Sequence, residues 1–160
     1  MKHTISALVQ NRVGVVAEAT DVFRKYNVNI KSVSCGETED FDVSRLVITV
    51  EGQSAEVERI CAELSGLDFI REVEDLARKD FVDRELALLR VSITRDTMSQ
   101  VMQIFEVFRA NVVGMGQETI TVELTGDQEK VDGFIKMLRP HGIRSLCRTG
   151  VIALRRGDED

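Results

Sequence analysis

The chain has 160 residues, room for one domain or two small ones, and 43% of them are apolar against 30% charged, the balance of an ordinary globular protein. Lysine and arginine number 21 and aspartate and glutamate 27, and the resulting charge of -6 opposes the phosphate attraction on which nucleic-acid binding depends. Two histidines, no tryptophan and three widely spaced cysteines leave little material for a metal centre or a general base, so neither a metal site nor a self-contained enzyme is expected. No apolar run approaches the roughly 18 residues of a membrane span, and the unpaired cysteines read as reduced thiols, so the expected location is the cytoplasm.

In chain order, Ile5, Ala7 and Val9 recur at every second position and so share one face, the period of a half-buried strand. Asn11 and Gly14 break the pattern, and Val15 or Val16, Ala19, Val22 or Phe23, and Tyr26 then recur at helical spacing. VNIKSVSCG and VSRLVITVEG form a hairpin around the polar ETEDFD. Ser54 is expected to cap a helix carrying Val57, Ile60, Cys61 and Leu64, and FIREVEDL is the next strand. The second half repeats the order. ELALLRVSI is a strand, Met98, Val101, Met102, Phe105 and Phe108 make a helical stripe, and VVGMG with TITVEL makes a hairpin. Asp127 caps a helix bearing Val131, Phe134, Ile135 and Leu138 that stops at Pro140 and Gly142, and SLCRTGVIAL is one closing strand.

The repetition is quantitative. Val57, Ile60, Cys61 and Leu64 each lie 74 residues before Val131, Phe134, Ile135 and Leu138, while VFR at 22–24 returns 85 residues later at 107–109. The two offsets predict a hairpin 11 residues shorter in the second copy. The fold class is therefore α+β, two tandem ferredoxin-like β-α-β-β-α-β domains, at 1–77 and 85–160 with a linker at 78–84. Halves of about 75 residues are small for freestanding cores, so pairing between chains, most simply as a homodimer, is expected.

The turn Asn11 to Gly14 opens a helix after a strand. Helix N-termini present unpaired N–H groups at the positive end of a dipole, and a glycine there lets a carboxylate approach the backbone. Asn29, on the next strand, can both donate and accept, which suits an amino-acid zwitterion. The same residues also make an ordinary turn, and spacing alone leaves that alternative open. The equivalent turn of the second half, TRDTMSQ, has neither Asn nor Gly, so only the first half has the makings of a ligand site. Elsewhere, GMG at 114–116 reads as a hairpin turn rather than a dinucleotide loop, VSRLVITV has no aromatics for stacking RNA bases, and Cys147 with His141 reads as a buried thiol and a loop histidine.

With the fold in view, the N-x-x-G turn followed by VNI, then SRLVITVEG, DRELALLRVSI, TVELTGDQEKVDGFIKMLRPHGI and above all RTGVIALRRGD resemble the small regulatory subunits of acetolactate synthase over nearly the whole chain. The resemblance implies that the first domain is an ACT domain, the small-molecule sensor of amino-acid metabolism. It implies a valine or other branched-chain effector at an interface between ACT domains. It also implies a large catalytic subunit carrying thiamine diphosphate, magnesium and FAD, which this chain would activate and place under feedback inhibition. The family's effector positions fall on Asn11, Gly14 and Asn29, with Val13, Val15 and Ile30 as wall residues. NRVG has no proline before the glycine, and Tyr26 stands where glycine is common; both departures bear on the rigidity of the loop. A freestanding ACT-domain sensor, controlling transcription or another enzyme, is the alternative, and RTGVIALRRGD weighs against it.

Overall fold

The computed structural model describes residues 1–158. The alternation at Ile5, Ala7 and Val9 becomes β1 (Lys2–Gln10), followed by α1 (Val15–Lys25), β2 (Ile30–Glu37), β3 (Val43–Glu51), α2 (Ser54–Ser65) and β4 (Ile70–Asp75). The sheet order is β2-β3-β1-β4, with every neighbouring pair antiparallel. Both helices cover one face. Ile5, Ala7 and Val9 of β1 and Leu46, Ile48 and Val50 of β3 meet Ala19, Phe23, Val57, Ile60 and Leu64, all buried in one cluster. Each large aliphatic or aromatic side chain withdrawn from water in this way contributes about 1.5–3 kcal/mol before conformational entropy is subtracted. At one end of the sheet His3, 2% exposed, holds Asp75 through Nδ1 at 2.7 Å, and the same carboxylate accepts the Ala77 N–H at 3.0 Å. That second bond caps a 3-10 turn, Leu76–Arg78.

The second copy is built from β5 (Phe81–Ser92), α3 (Met98–Phe108), β6 (Asn111–Met115), β7 (Thr119–Gly126), α4 (Gln128–Leu138) and β8 (Ile143–Arg148), with sheet order β6-β7-β5-β8. Its core joins Ala87, Leu89 and Val91 to Val101, Phe105, Ile120, Val122, Leu124, Val131 and Phe134. The Phe134 ring sits 5.9 Å from that of Phe105 and 5.2 Å from that of Phe108, both tilted, the favoured geometry for aromatic pairs.

Several sequence expectations need correction. SLCRTGVIAL is not one strand: β8 ends at Arg148, Gly150 takes φ 84, and β9 (Ile152–Arg155) pairs with β5. Ser54 is the first residue of α2, and its cap is Gln53, which makes no side-chain bond; Asp127, by contrast, caps α4 by accepting the Lys130 N–H at 2.8 Å. Met102 is 39% exposed and is not part of the buried stripe. The VFR match is not a structural equivalence either, since Val22 is 7% exposed and Val107 79%. Burial aligns Ala19 with Val101 and Phe23 with Phe105, an offset of 82 rather than 85, so against the later offset of 74 the hairpin is shorter by eight residues.

By contacts the described chain divides into Met1–Val82 together with residues 151–158, and Asp83–Gly150. The stretch 78–84, expected as a linker, holds the end of the 3-10 turn and the start of β5. The closing segment, expected with the second half, belongs to the first unit. Ala153 packs with Val47, Leu76 and Phe81, Arg155 bonds Glu74 through Nε at 2.6 Å, and the Arg156 N–H reaches the Asp80 carbonyl at 3.0 Å.

Candidate functional site

The β1–α1 turn is where the first unit offers backbone rather than side chains. Gly14 is the N-cap of α1, with φ 90 and no capping side chain, and the first helical bond runs from the Glu18 N–H to the Gly14 carbonyl at 3.0 Å. The N–H groups of Val15, Val16 and Ala17 therefore precede the hydrogen-bonded ladder, at the positive end of the helix dipole. A φ of 90 is a backbone that L side chains rarely adopt, and a Cβ built on Gly14 meets only Glu18 Oε1, at 3.9 Å. The glycine is thus required by the turn's geometry and not by crowding.

Asn11 is exposed and tied to the β2–β3 loop: its N–H bonds the Asp42 carbonyl at 2.7 Å and its Nδ2 the Phe41 carbonyl at 3.2 Å. Val13 is 97% exposed, whereas Val15 is 6% exposed and packs in the core, leaving its N–H and not its side chain at the turn. Arg12 was not among the site residues expected at the turn from the sequence. Its guanidinium lies 5.1 Å from the centroid of the Phe69 ring and 3.4 Å from Asp68. A loop arginine and an aromatic 57 positions away carry no shared sequence signal; only the fold brings them together.

Asn29 and Ile30 lie elsewhere. Ile30 pairs with Val50, which pairs with His3, so this row is at one end of the sheet; Gln10 pairs with Val43 at the other. Between His3 and Gln10 the strand advances roughly 23 Å. Asn11 and Gly14 are thus grouped at one end of the first sheet, and Asn29 and Ile30 at the opposite end. There, Asn29 and Ile30 join Thr20, Phe23, Arg24 and Asn27 around an open cleft of about 390 Å³ at the C-terminal end of α1. The sheet order makes β2 an outer strand.

The remaining polar clusters are built to close the fold. Glu85, 4% exposed, takes two bonds from Arg148, at 2.5 and 2.9 Å, and Arg148 also reaches Asp132 at 2.9 Å. Thr149 bonds Leu86 in both directions, N–H to carbonyl at 3.0 Å and Leu86 N–H to Oγ1 at 3.1 Å, ahead of Gly150 in a left-handed backbone. The RTG sequence is therefore a chain-closing device. Cys61 lies half-buried, and burial first, then the Asp75 and Glu58 carboxylates, push its thiol up to about 11. Among the described residues no group of three or more His, Cys, Asp or Glu side chains could hold a metal ion, and no helix is long and apolar enough to cross a membrane.

Two family models match this chain. Residues 5–72 match the AHAS small subunit-like ACT domain, and residues 84–157 match the small subunit of acetolactate synthase. The acetolactate synthase small subunit of Bacillus subtilis is 37% identical, with 99% of this chain and 93% of that protein covered. That of Mycolicibacterium smegmatis is 35% identical over 97% and 91%. The crystal structure of the acetolactate synthase small subunit from Thermotoga maritima superposes with a TM-score of 0.85 at 31% identity, covering 99% of each chain. Two β-α-β-β-α-β units in this order, one carrying a glycine-capped turn and the other closed by the RTG sequence, place the chain in the acetolactate synthase small-subunit family, with an ACT domain as its first unit.

Proposed function

We propose that the chain is the regulatory subunit of acetolactate synthase in branched-chain amino-acid biosynthesis, a non-catalytic protein of the cytoplasm. It binds and activates the large catalytic subunit and makes that subunit sensitive to valine or a related amino acid. Thiamine diphosphate, magnesium and FAD belong to the large subunit, which carries the catalytic groups. The effector domain is the first unit, and the second completes the subunit.

The observation that carries this reading is the separation of Asn11 and Gly14 from Asn29 along one sheet whose outer strand is β2. A second copy that adds its own β2 about a two-fold axis runs antiparallel and brings its Asn29 to the end where Asn11 and Gly14 stand. Two equivalent sites result. In each, the effector carboxylate lies on the N–H groups behind Gly14, the ammonium faces the Asn carbonyls, and the aliphatic side chain meets Ile30 and the exposed Val13. An effector that prefers one arrangement of the paired domains shifts the complex by that difference in affinity, typically about 1–3 kcal/mol of coupling.

The test is Gly14→Asp, which sets a carboxylate where the effector's own belongs, alongside Asn11→Ala, which leaves the backbone unstrained. Each variant, reconstituted with the large subunit, is expected to activate it as the parent does while the valine concentration needed for inhibition rises at least about tenfold. Parent-like valine inhibition in both would remove the assignment.

A further inference from the structure

We infer that Arg12 is a positioning residue for the effector turn: clamped over the Phe69 ring, it fixes the height and direction of the Gly14 helix N-terminus. The inference rests on the effector reading above and adds to it a residue that does not touch the ligand.

The turn has little to hold it. Val13 is 97% exposed and packs against nothing, Gly14 has no side chain, and no proline stiffens the NRVG sequence. Its upstream end is fixed through the backbone, by the Gln10 N–H to the Phe69 carbonyl and the Asn11 N–H to the Asp42 carbonyl, each at 2.7 Å, and by the Arg12 N–H to the Gln10 carbonyl at 2.9 Å, and its downstream end by Val15 in the core. Between those points the described side-chain anchors are two: Asn11, bonded to the Phe41 carbonyl, and Arg12. Asn11 is assigned to the ligand, so the anchor that does not compete with binding is Arg12.

Its partners differ in weight. Asp68 is 91% exposed, so its 3.4 Å pairing with Arg12 is an ion pair screened by water and worth little. Phe69 is 1% exposed, and its backbone carbonyl holds the strand end. A guanidinium 5.1 Å from the centroid of that buried ring is a cation–π contact, and a planar guanidinium there is not equivalent to an ammonium. Arg12 thereby couples the turn to the α2–β4 connection, with Gln10 and Phe69 bonded directly beneath it.

The experiment compares the parent with Arg12→Ala, Arg12→Lys, Phe69→Leu and the double variant Arg12→Ala/Phe69→Leu. Valine, leucine and isoleucine are titrated calorimetrically, and amide exchange is followed at residues 13–16 without ligand. Arg12→Ala is expected to weaken binding and to speed exchange in the turn about two- to fivefold, the range an exposed cation–π contact supports. Arg12→Lys recovers only part of that, Phe69→Leu matches the loss, and the double variant is no worse than either single change. Parent-like exchange in Arg12→Ala, or losses that multiply in the double variant, would overturn the inference. If the parent binds none of the three amino acids, the effector reading fails, and the exchange rates still decide whether Arg12 holds the turn.

Discussion

Asn29 comes just before the row Ile30–Val50–His3 and Asn11 just after the pair Gln10–Val43, so the two amides of one chain stand roughly 23 Å apart along the strands of a single sheet. A shared ligand then requires two chains, and mixing tests it. Asn11→Ala and Asn29→Ala are each expected to abolish effector binding as homodimers. Mixed in equal amounts and allowed to exchange, they should recover about a quarter of the parent's sites, because half the dimers are mixed and each has one intact site. Calorimetric stoichiometry reads the result, and no recovery would mean that the amides serve separate purposes.

The thiols make a second test of the same strand. Cys35 lies on β2, Cys147, expected from the sequence to be buried, is exposed on β8, and Cys61 is half-buried with its thiol pushed up to about 11. At pH 8 only about a thousandth of Cys61 is thiolate, so its alkylation should be the slowest of the three. Cys147 should label at a rate independent of protein concentration, whereas Cys35 should become protected as concentration rises and β2 is covered. Peptide mass spectrometry after timed iodoacetamide treatment separates the three.

Glu74 gives the first unit a pH dependence with a defined sign. Burial alone would raise its carboxyl, but the hydrogen bonds and charges of Lys79 and Arg155 outweigh this, and the net shift is downward. A carboxyl whose folded pKa lies below the unfolded value of about 4.3 adds stability that is complete above that value and lost as pH falls through the folded pKa. Glu74→Gln is expected to destabilise the protein by about 1.5–3 kcal/mol at pH 7, the worth of a charged hydrogen bond. Urea midpoints of parent and variant should converge as the pH falls below the unfolded value and through the lower folded pKa.

The two copies of the second helix differ at their caps. Asp127 bonds the Lys130 N–H, while Gln53 leaves its helix without a side-chain cap. Asp127→Ala should cost about 1 kcal/mol and Gln53→Asp should add about 0.5–1 kcal/mol, read as opposite shifts in thermal midpoint.

Phe134 is fully buried and faces both Phe105 and Phe108. Phe134→Ala should cost about 3–5 kcal/mol, since the two α3 rings packed against it cannot close the void without leaving their rotamers. Thermal unfolding followed by far-UV dichroism measures the loss.

What was legible in the sequence follows from what is local. Ile5, Ala7 and Val9 alternate, and Val131, Phe134, Ile135 and Leu138 recur at helical spacing, because burial on one face imposes those periods directly. The turn at Asn11 and Gly14 was readable for the same reason, as a break between two periods. The end of the chain was not: SLCRTGVIAL has the apolar content of one strand, and only Gly150 in a left-handed backbone shows that β8 stops at Arg148 and that a separate strand, β9, resumes at Ile152 to pair with β5. The tripeptide VFR misled because identical residues need not share a face, and Val107 is solvent-facing where Val22 is buried. Arg12 over Phe69 was out of reach, since stacking between residues so far apart depends on the sheet that aligns them.

The return of Ile152–Arg155 to the first unit sets an order of events during synthesis. While the ribosome adds residues 83–150, which takes roughly 3 to 14 s at ordinary elongation rates, Val47 and Leu76 have yet to meet Ala153, and Glu74 has yet to meet Arg155. The half of the molecule that begins first is therefore finished last, and a nascent chain stalled anywhere in the second unit displays an ACT sheet with that apolar spot still uncovered.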